Sequence, residues 1–142
     1  MESKTGNIEI GIVGLGVMGK SLALNLADSG ISVAVYNRHV PGEEEHLATG
    51  FAEENGRYSN LYGFDELKPF MASLQKPRNI LLMIKAGPPV DRQLEELLPY
   101  LDEDDLVMDG GNSHFKDTAR RAGWMHKKSM HYLGVGISGG EE

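Results

Sequence analysis

The sequence predicts an α/β fold, a doubly wound and largely parallel sheet with helices on both faces, and three observations predict it. Short apolar, β-branched runs alternate with stretches of helical periodicity from residue 8 to residue 135. The first run ends in Gly14-Leu15-Gly16-Val17-Met18-Gly19, a G-x-G-x-x-G turn that opens into a helical pattern. Each apolar run is followed by glycine-rich or polar residues: 14–16, 37–39, 85–87, 109–113 and 136–140. In a parallel sheet all five segments fall on one edge, beyond the carboxyl ends of the strands, where such folds bind ligands.

Each element has its own justification. Residues 8–13 are apolar and short, as a buried strand requires. Residues 17–29 read as a helix with Met18, Leu22 and Leu26 on one face, Ala23 and Ala27 beside them, and Gly30 as its C-terminal stop. Residues 31–36 form the second strand and complete a βαβ unit. The stretch 40–63 is the least patterned, with a turn at Pro41-Gly42, a solvated acidic run at 43–45 and a short helix over 47–54. Residues 64–74 predict a helix with Asp65 at its start and Leu67, Phe70, Met71 and Leu74 facing inward. Residues 79–84 are a third strand. Pro88-Pro89 then start a helix whose inner face carries Val90, Leu94, Leu97, Leu98 and Leu101. After a solvated acidic run at 102–105, residues 106–108 form a fourth strand. Asn112 or Ser113 caps a helix over 114–128 that packs through Phe115, Ala119, Ala122 and Trp124 or Met125. Residues 131–135 are the fifth strand.

The bulk numbers narrow the function. The 142 residues suit one domain, 1–142. With 14 basic against 21 acidic residues the net charge is −7, which argues against nucleic acid or an anionic membrane as a partner. Cysteine is absent, so disulfides and thiolate metal sites are excluded. No metal site is expected; the acidic run 43–45 reads as a solvated helix start. No apolar run approaches the ~20 residues of a membrane span, and residues 1–13 do not form a signal segment. A soluble, cytoplasmic protein is the expectation. The ending Gly139-Gly140-Glu141-Glu142 reads as a turn without a following element, so the domain is expected to be truncated there.

The G-x-G-x-x-G in strand–turn–helix context marks a Rossmann-type dinucleotide site. Gly14 allows the sharp turn, Gly16 lets backbone approach a pyrophosphate, and Gly19 lets helix and strand pack closely. The helix N-terminus adds N–H donors and partial positive charge. A carboxylate ending the second strand would select NAD by its bond to the ribose 2′-OH. Here Asn37 and Arg38 stand instead, and they predict NADP: Asn37 can bond the ribose without charge, and Arg38 can pair with a 2′-phosphate. His39 is a third contact or a bystander. Lys85 is a cofactor contact or an ordinary exposed lysine. Asn112 and Ser113 are ligand contacts or a helix cap. Ser138-Gly139-Gly140 is an anion-binding nest or a tight turn.

Taken together, Gly14-Leu15-Gly16-Val17-Met18-Gly19, Asn37-Arg38, Lys85-Ala86-Gly87, Asp109-Gly110-Gly111-Asn112-Ser113 and Gly136-Ile137-Ser138-Gly139-Gly140-Glu141-Glu142 resemble the 6-phosphogluconate dehydrogenase family in order and spacing. The first two motifs are shared with other β-hydroxyacid dehydrogenases of the 3-hydroxyisobutyrate type; the last two are more specific. Gly16 stands where the family often has Ala, and His39 where it often has Thr. The resemblance implies oxidative decarboxylation of 6-phosphogluconate to ribulose 5-phosphate with reduction of NADP, a step of the pentose phosphate pathway, by a homodimer. It implies that Gly14, Leu15, Gly16, Val17, Met18 and Gly19 hold the pyrophosphate. Asn37, Arg38 and His39 would surround the 2′-phosphate and ribose, and Ile84, Lys85 and Ala86 would pass beside the cofactor. Asn112 would touch cofactor and substrate, and Ser138, Gly139 and Gly140 would hold the substrate near its carboxylate. The family's catalytic lysine and glutamate lie beyond these residues, as does its large helical domain, so no catalytic residue is assigned and the chain alone is expected to be inactive. The competing expectations are another β-hydroxyacid dehydrogenase and a free-standing NADP-binding regulatory module.

Overall fold

The computed structural model describes residues 6–38, 42 and 45–136. Strands and helices alternate along them: β1 (Ile10–Val13), α1 (Val17–Asp28), β2 (Val33–Tyr36), α2 (Leu47–Glu54), β3 (Leu61–Phe64), α3 (Leu67–Ser73), β4 (Asn79–Leu82), α4 (Pro88–Leu97), β5 (Leu106–Asp109), α5 (Phe115–His126) and β6 (His131–Gly134). A 3-10 turn, Leu98–Tyr100, follows α4. The six strands form one sheet in the order β3-β2-β1-β4-β5-β6, and every pairing is parallel. The direction reverses between β1 and β4, which opens a crevice above their carboxyl ends.

Register places that crevice. Val13 pairs with Tyr36 on one side and with Leu82 on the other, Tyr36 pairs with Phe64, Leu82 with Asp109, and Asp109 with Gly134. The last residues of all six strands therefore lie in one row, and the loops that follow them share one edge.

Alternation along the strands builds two apolar layers. Val13, Ala34, Tyr36, Ile80, Leu82 and Val107 face α3, α4 and α5, where they meet Phe70, Met71, Leu94, Leu97 and Met125. Ile12, Val33, Val35 and Leu81 face the other way, against Ala23 and Ala27 of α1 and Ala48 and Phe51 of α2. The α1 face of the second layer is built from the small residues Gly19, Ala23 and Ala27, so that helix approaches the sheet closely.

Several expectations are corrected. The α1 face against the sheet is Gly19, Ala23 and Ala27; Met18 is exposed and Leu22 and Leu26 only half-buried. The predicted helix over 64–74 is shorter, because Leu61–Phe64 is an unpredicted edge strand and the helix starts at Leu67. Asp65 does not start α3. Its carboxylate accepts from the Thr49 N–H at 3.3 Å and the Thr49 hydroxyl at 2.8 Å, so it caps the first turn of α2 from outside. The run 102–105 is not wholly solvated: Asp105 is fully buried and accepts from Nη1 of Arg78 at 2.9 Å. In α5 the buried residues are Arg121 and Met125, while Phe115 and Ala119 are exposed. The cap of α5 is His114, whose Nδ1 accepts from the Lys116 N–H at 3.1 Å, rather than Asn112 or Ser113.

Candidate cofactor site

The turn from β1 into α1 is shaped by backbone contacts. Gly14 has φ +104°, and a Cβ there would lie 2.4 Å from the Met83 carbonyl oxygen of the neighbouring strand end. A Cβ on Gly19 would lie 2.1 Å from the Gly14 carbonyl oxygen, so the first turn of α1 rests directly on the loop before it. Gly16 differs: no atom lies within 4 Å of the place its Cβ would take, and that place is open space. Gly16 is also the N-cap of α1. It offers no side-chain cap, and the first turn of α1 carries no acidic residue. The helix thus presents N–H donors and partial positive charge to whatever occupies the crevice. Leu15 has its side chain buried, so only its backbone can take part. That backbone is fixed, since the Leu15 N–H donates to Oδ1 of Asn37 at 2.9 Å. One hydrogen bond thereby joins the glycine turn to the end of β2.

A cavity of about 380 Å³ opens above this link. Gly14, Leu15 and Gly16 line one side, Asn37 and Arg38 a second, and Met83, Ile84 and Lys85 a third. Pro89, Arg92, Gln93 and Glu96 of α4 close the fourth. A further cavity of about 300 Å³ shares Met83, Ile84 and Lys85 and continues past Ala86 and Met18 to Gly110, Gly111 and Asn112. The two make a groove across the ends of β2, β1, β4 and β5. Such a groove admits an extended ligand whose middle lies over the N-terminus of α1.

The loop after β5 is held by a buried polar network. Asp109 is 1% exposed. Its Oδ1 accepts from the Gly111 N–H at 3.0 Å, and its Oδ2 accepts from the Ser113 hydroxyl and, at 3.2 Å, from the Tyr132 hydroxyl. Arg121, also 1% exposed, stands beside it with Nη1 3.8 Å from the same carboxylate. Its Nε and Nη2 donate to the two oxygens of Asp91 at 2.8 and 3.2 Å, and Nη2 also donates to the Gly87 carbonyl at 3.1 Å. Arg121 therefore ties α5, α4, the loop before α4 and the loop after β5 together. The Arg121 guanidinium holds the Asp91 carboxyl at about 2, well below the usual carboxylate range. Burial, with the Asp109 carboxylate next, pushes the Tyr132 phenol up. Asp109 thus organises its loop and leaves Asn112 exposed at the groove.

The groove brings together Gly14, Leu15, Gly16, Met18, Asn37, Arg38, Ile84, Lys85, Ala86 and Asn112. Gly19 packs beneath the turn, and Val17 is 81% exposed at the helix start without lining either cavity. His39, Ser138, Gly139 and Gly140 lie outside the described residues. Sequence reasoning missed Met83, Pro89, Arg92, Gln93, Glu96, Gly110 and Gly111. Gly110 and Gly111 were within a quoted motif, but nothing in the sequence placed the polar face of α4 over the crevice. Among the described residues no group of three or more His, Asp or Glu could hold a metal ion, and no helix is long and apolar enough to cross a membrane.

The groove fits a dinucleotide on the chain's own terms: an uncapped helix N-terminus, an open position at Gly16, and cationic side chains Arg38, Lys85 and Arg92 along the walls. Comparison with known proteins agrees. A family model described as the NAD binding domain of 6-phosphogluconate dehydrogenase matches residues 9–142. The decarboxylating 6-phosphogluconate dehydrogenase of Chlamydia pneumoniae is 49% identical over 133 residues, which cover 94% of this chain and 27% of that protein. The NADP(+)-dependent enzyme of Bacillus subtilis is 45% identical over 134 residues, with the same 94% and 27% coverage. A solved structure of Plasmodium falciparum 6-phosphogluconate dehydrogenase, described with cofactor NADP+ and with substrate 6-phosphogluconate, superposes with a TM-score of 0.76 at 32% identity. It covers 89% of this chain and 27% of that one. The chain spans about a quarter of the length of the relatives it matches.

Proposed function

The chain belongs to the 6-phosphogluconate dehydrogenase family, in its NAD-binding domain, and from that premise we propose that it holds NADP for the oxidative decarboxylation of 6-phosphogluconate to ribulose 5-phosphate. The observation that carries the reading is the hydrogen bond from the Leu15 N–H to Asn37. It sets the pyrophosphate turn against a strand end that bears an amide and a guanidinium in place of a carboxylate. When bound, oxidised NADP supplies the hydride acceptor. The chain's own residues bind and orient. Gly14, Leu15 and Gly19 shape the turn, with the Leu15 N–H donated to Asn37, and the N–H groups at the start of α1, those of Gly16, Val17 and Met18, face the pyrophosphate. Asn37 bonds the adenosine ribose, Arg38 pairs with the 2′-phosphate, and His39 stands next to it. Ile84, Lys85 and Ala86 run along the cofactor. Asn112 lies where cofactor and sugar acid meet, and Ser138, Gly139 and Gly140 receive the substrate's carboxylate end.

The proton-transfer groups implied by the family resemblance, a lysine acting on the 3-hydroxyl and a glutamate acting on C1, are not among these 142 residues. On this reading residues 1–142 act as a cofactor-binding unit, and the family resemblance implies that the enzyme works as a homodimer. Calorimetric titration of the chain with NADP and NAD tests the reading. Tighter binding of NADP is expected, and no NADPH should form when 6-phosphogluconate is added. Tighter binding of NAD would overturn the cofactor assignment, and turnover would overturn the division of labour.

A further inference from the structure

We propose that Arg92 of α4 is a second cation for the cofactor's 2′-phosphate, acting with Arg38 in the cavity that both line; this rests on the NADP reading above. A 2′-phosphate carries between one and two negative charges near neutral pH, and the chain around it carries a net −7. A single guanidinium leaves part of that charge uncompensated.

The structure puts Arg92 in the same cavity as Arg38. Pro88 and Pro89 form the first two positions of α4, and Val90, Leu94 and Leu97 bury its inner face. Asp91 is clamped by the two-pronged contact from Arg121. Together these fix the rotation of the helix about its axis and leave Arg92 on the cavity wall, in the cavity that Asn37 and Arg38 also line. Of the acids on its own helix, none pairs with Arg92 among the described residues, and two are engaged elsewhere. Asp91 holds Arg120 and Arg121, and Glu96, one turn on, accepts from Gln93 Nε2 at 3.3 Å. Among the described residues Arg92 has no ion pair, although it is a charged side chain facing a cavity. A guanidinium presents a planar fork of donors to phosphate oxygens, and two such forks in one cavity favour a terminal phosphate over the uncharged diol of NAD.

The test uses the chain as it stands, with NADP, NAD, 2′,5′-ADP and ADP as probes in calorimetry. Arg92→Gln is expected to weaken NADP and 2′,5′-ADP on the order of tenfold while NAD and ADP stay within about twofold, the loss of one charge-assisted contact. Arg92→Lys, which keeps the charge, is expected to retain most of the preference for the 2′-phosphate. Equal losses for NADP and NAD would overturn the proposal and make Arg92 a contact to the adenine. No loss for any probe would overturn it too, and leave Arg92 a solvated surface residue. A parent chain that binds neither dinucleotide would remove the cofactor reading itself, and the role of Arg92 with it.

Discussion

At the scale of single residues the three glycines of the turn answer to different constraints. Gly14 needs its positive φ and has a backbone oxygen where a Cβ would go. Gly19 needs only the space, but its obstacle is the Gly14 carbonyl, which can move only if the turn moves. Gly16 is constrained by nothing in the protein. Gly14→Ala and Gly19→Ala are therefore expected to lower stability by about 1–3 kcal/mol each, through strain and backbone displacement. Gly16→Ala should change it by no more than about 0.5 kcal/mol, the small difference between Gly and Ala at an N-cap. Urea denaturation of the three variants checks this. If Gly16→Ala proved as damaging as Gly14→Ala, the turn would not be held in the way described. The family's frequent Ala at the position of Gly16 then has a simple reason: a methyl group there meets only the open groove.

At the scale of elements, α4 is locked to α5 through Asp91 and Arg121. Asp91 titrates near 2 in the folded chain against an ordinary value of 3.8. A carboxyl depressed by folding stabilises the fold above its unfolded pKa, and that contribution disappears as pH falls from about 4 toward 2. Asp91 is 36% exposed and Arg121 only 1%, so solvent screens part of the pair. Asp91→Asn is expected to cost about 1 kcal/mol at neutral pH, and the gap to the parent chain should close between pH 4 and pH 2. Urea midpoints measured across that range decide it; a gap that stayed constant would mean that Asp91 is not the titrating partner. The same helix pair shows what the sequence could and could not say. The segment 47–54 and the proline start of α4 were legible because caps, prolines and periodicity are local. β3 was not, since Gly63 breaks its strand pattern. That glycine is there because a Cβ would lie 2.2 Å from the Ala48 carbonyl oxygen, at the contact between α2 and β3. The α1 face was misread for a related reason: close approach to a sheet selects Gly19, Ala23 and Ala27, while hydrophobicity points to Leu22 and Leu26. Arg121 was invisible because a charged residue reads as surface until its partners, 30 and 12 positions away in Asp91 and Asp109, are brought beside it. In the groove, motif residues contiguous in sequence were legible. Arg92 and Gln93 were not, because their placement depends on how α4 is rotated against the sheet.

At the scale of the whole molecule, the groove is built from both sides of the sheet. The glycine turn leads into α1, in the layer with Phe51 and Ala48, whereas Arg92 and Gln93 belong to α4, in the layer with Phe70 and Leu94. A ligand that touches both walls contacts both layers, and every strand between them pairs along a single sheet. The layers should therefore unfold together. Phe51→Ala on one face and Leu94→Ala on the other are each expected to cost about 2–5 kcal/mol, since both side chains are buried. Each should move one common thermal transition. Trp124, packed against the α3–α5 layer, supplies the discriminating signal. Phe51→Ala lies in the opposite layer, yet it should shift the tryptophan fluorescence transition as far as it shifts far-UV circular dichroism. NADP at about one hundred times its dissociation constant should raise the stability of the parent chain by about 2.7 kcal/mol, again in a single transition. A Phe51→Ala variant whose circular dichroism transition moved while its Trp124 transition stayed in place would show two independently melting layers. The groove would then be a seam between them rather than a feature of one cooperative domain.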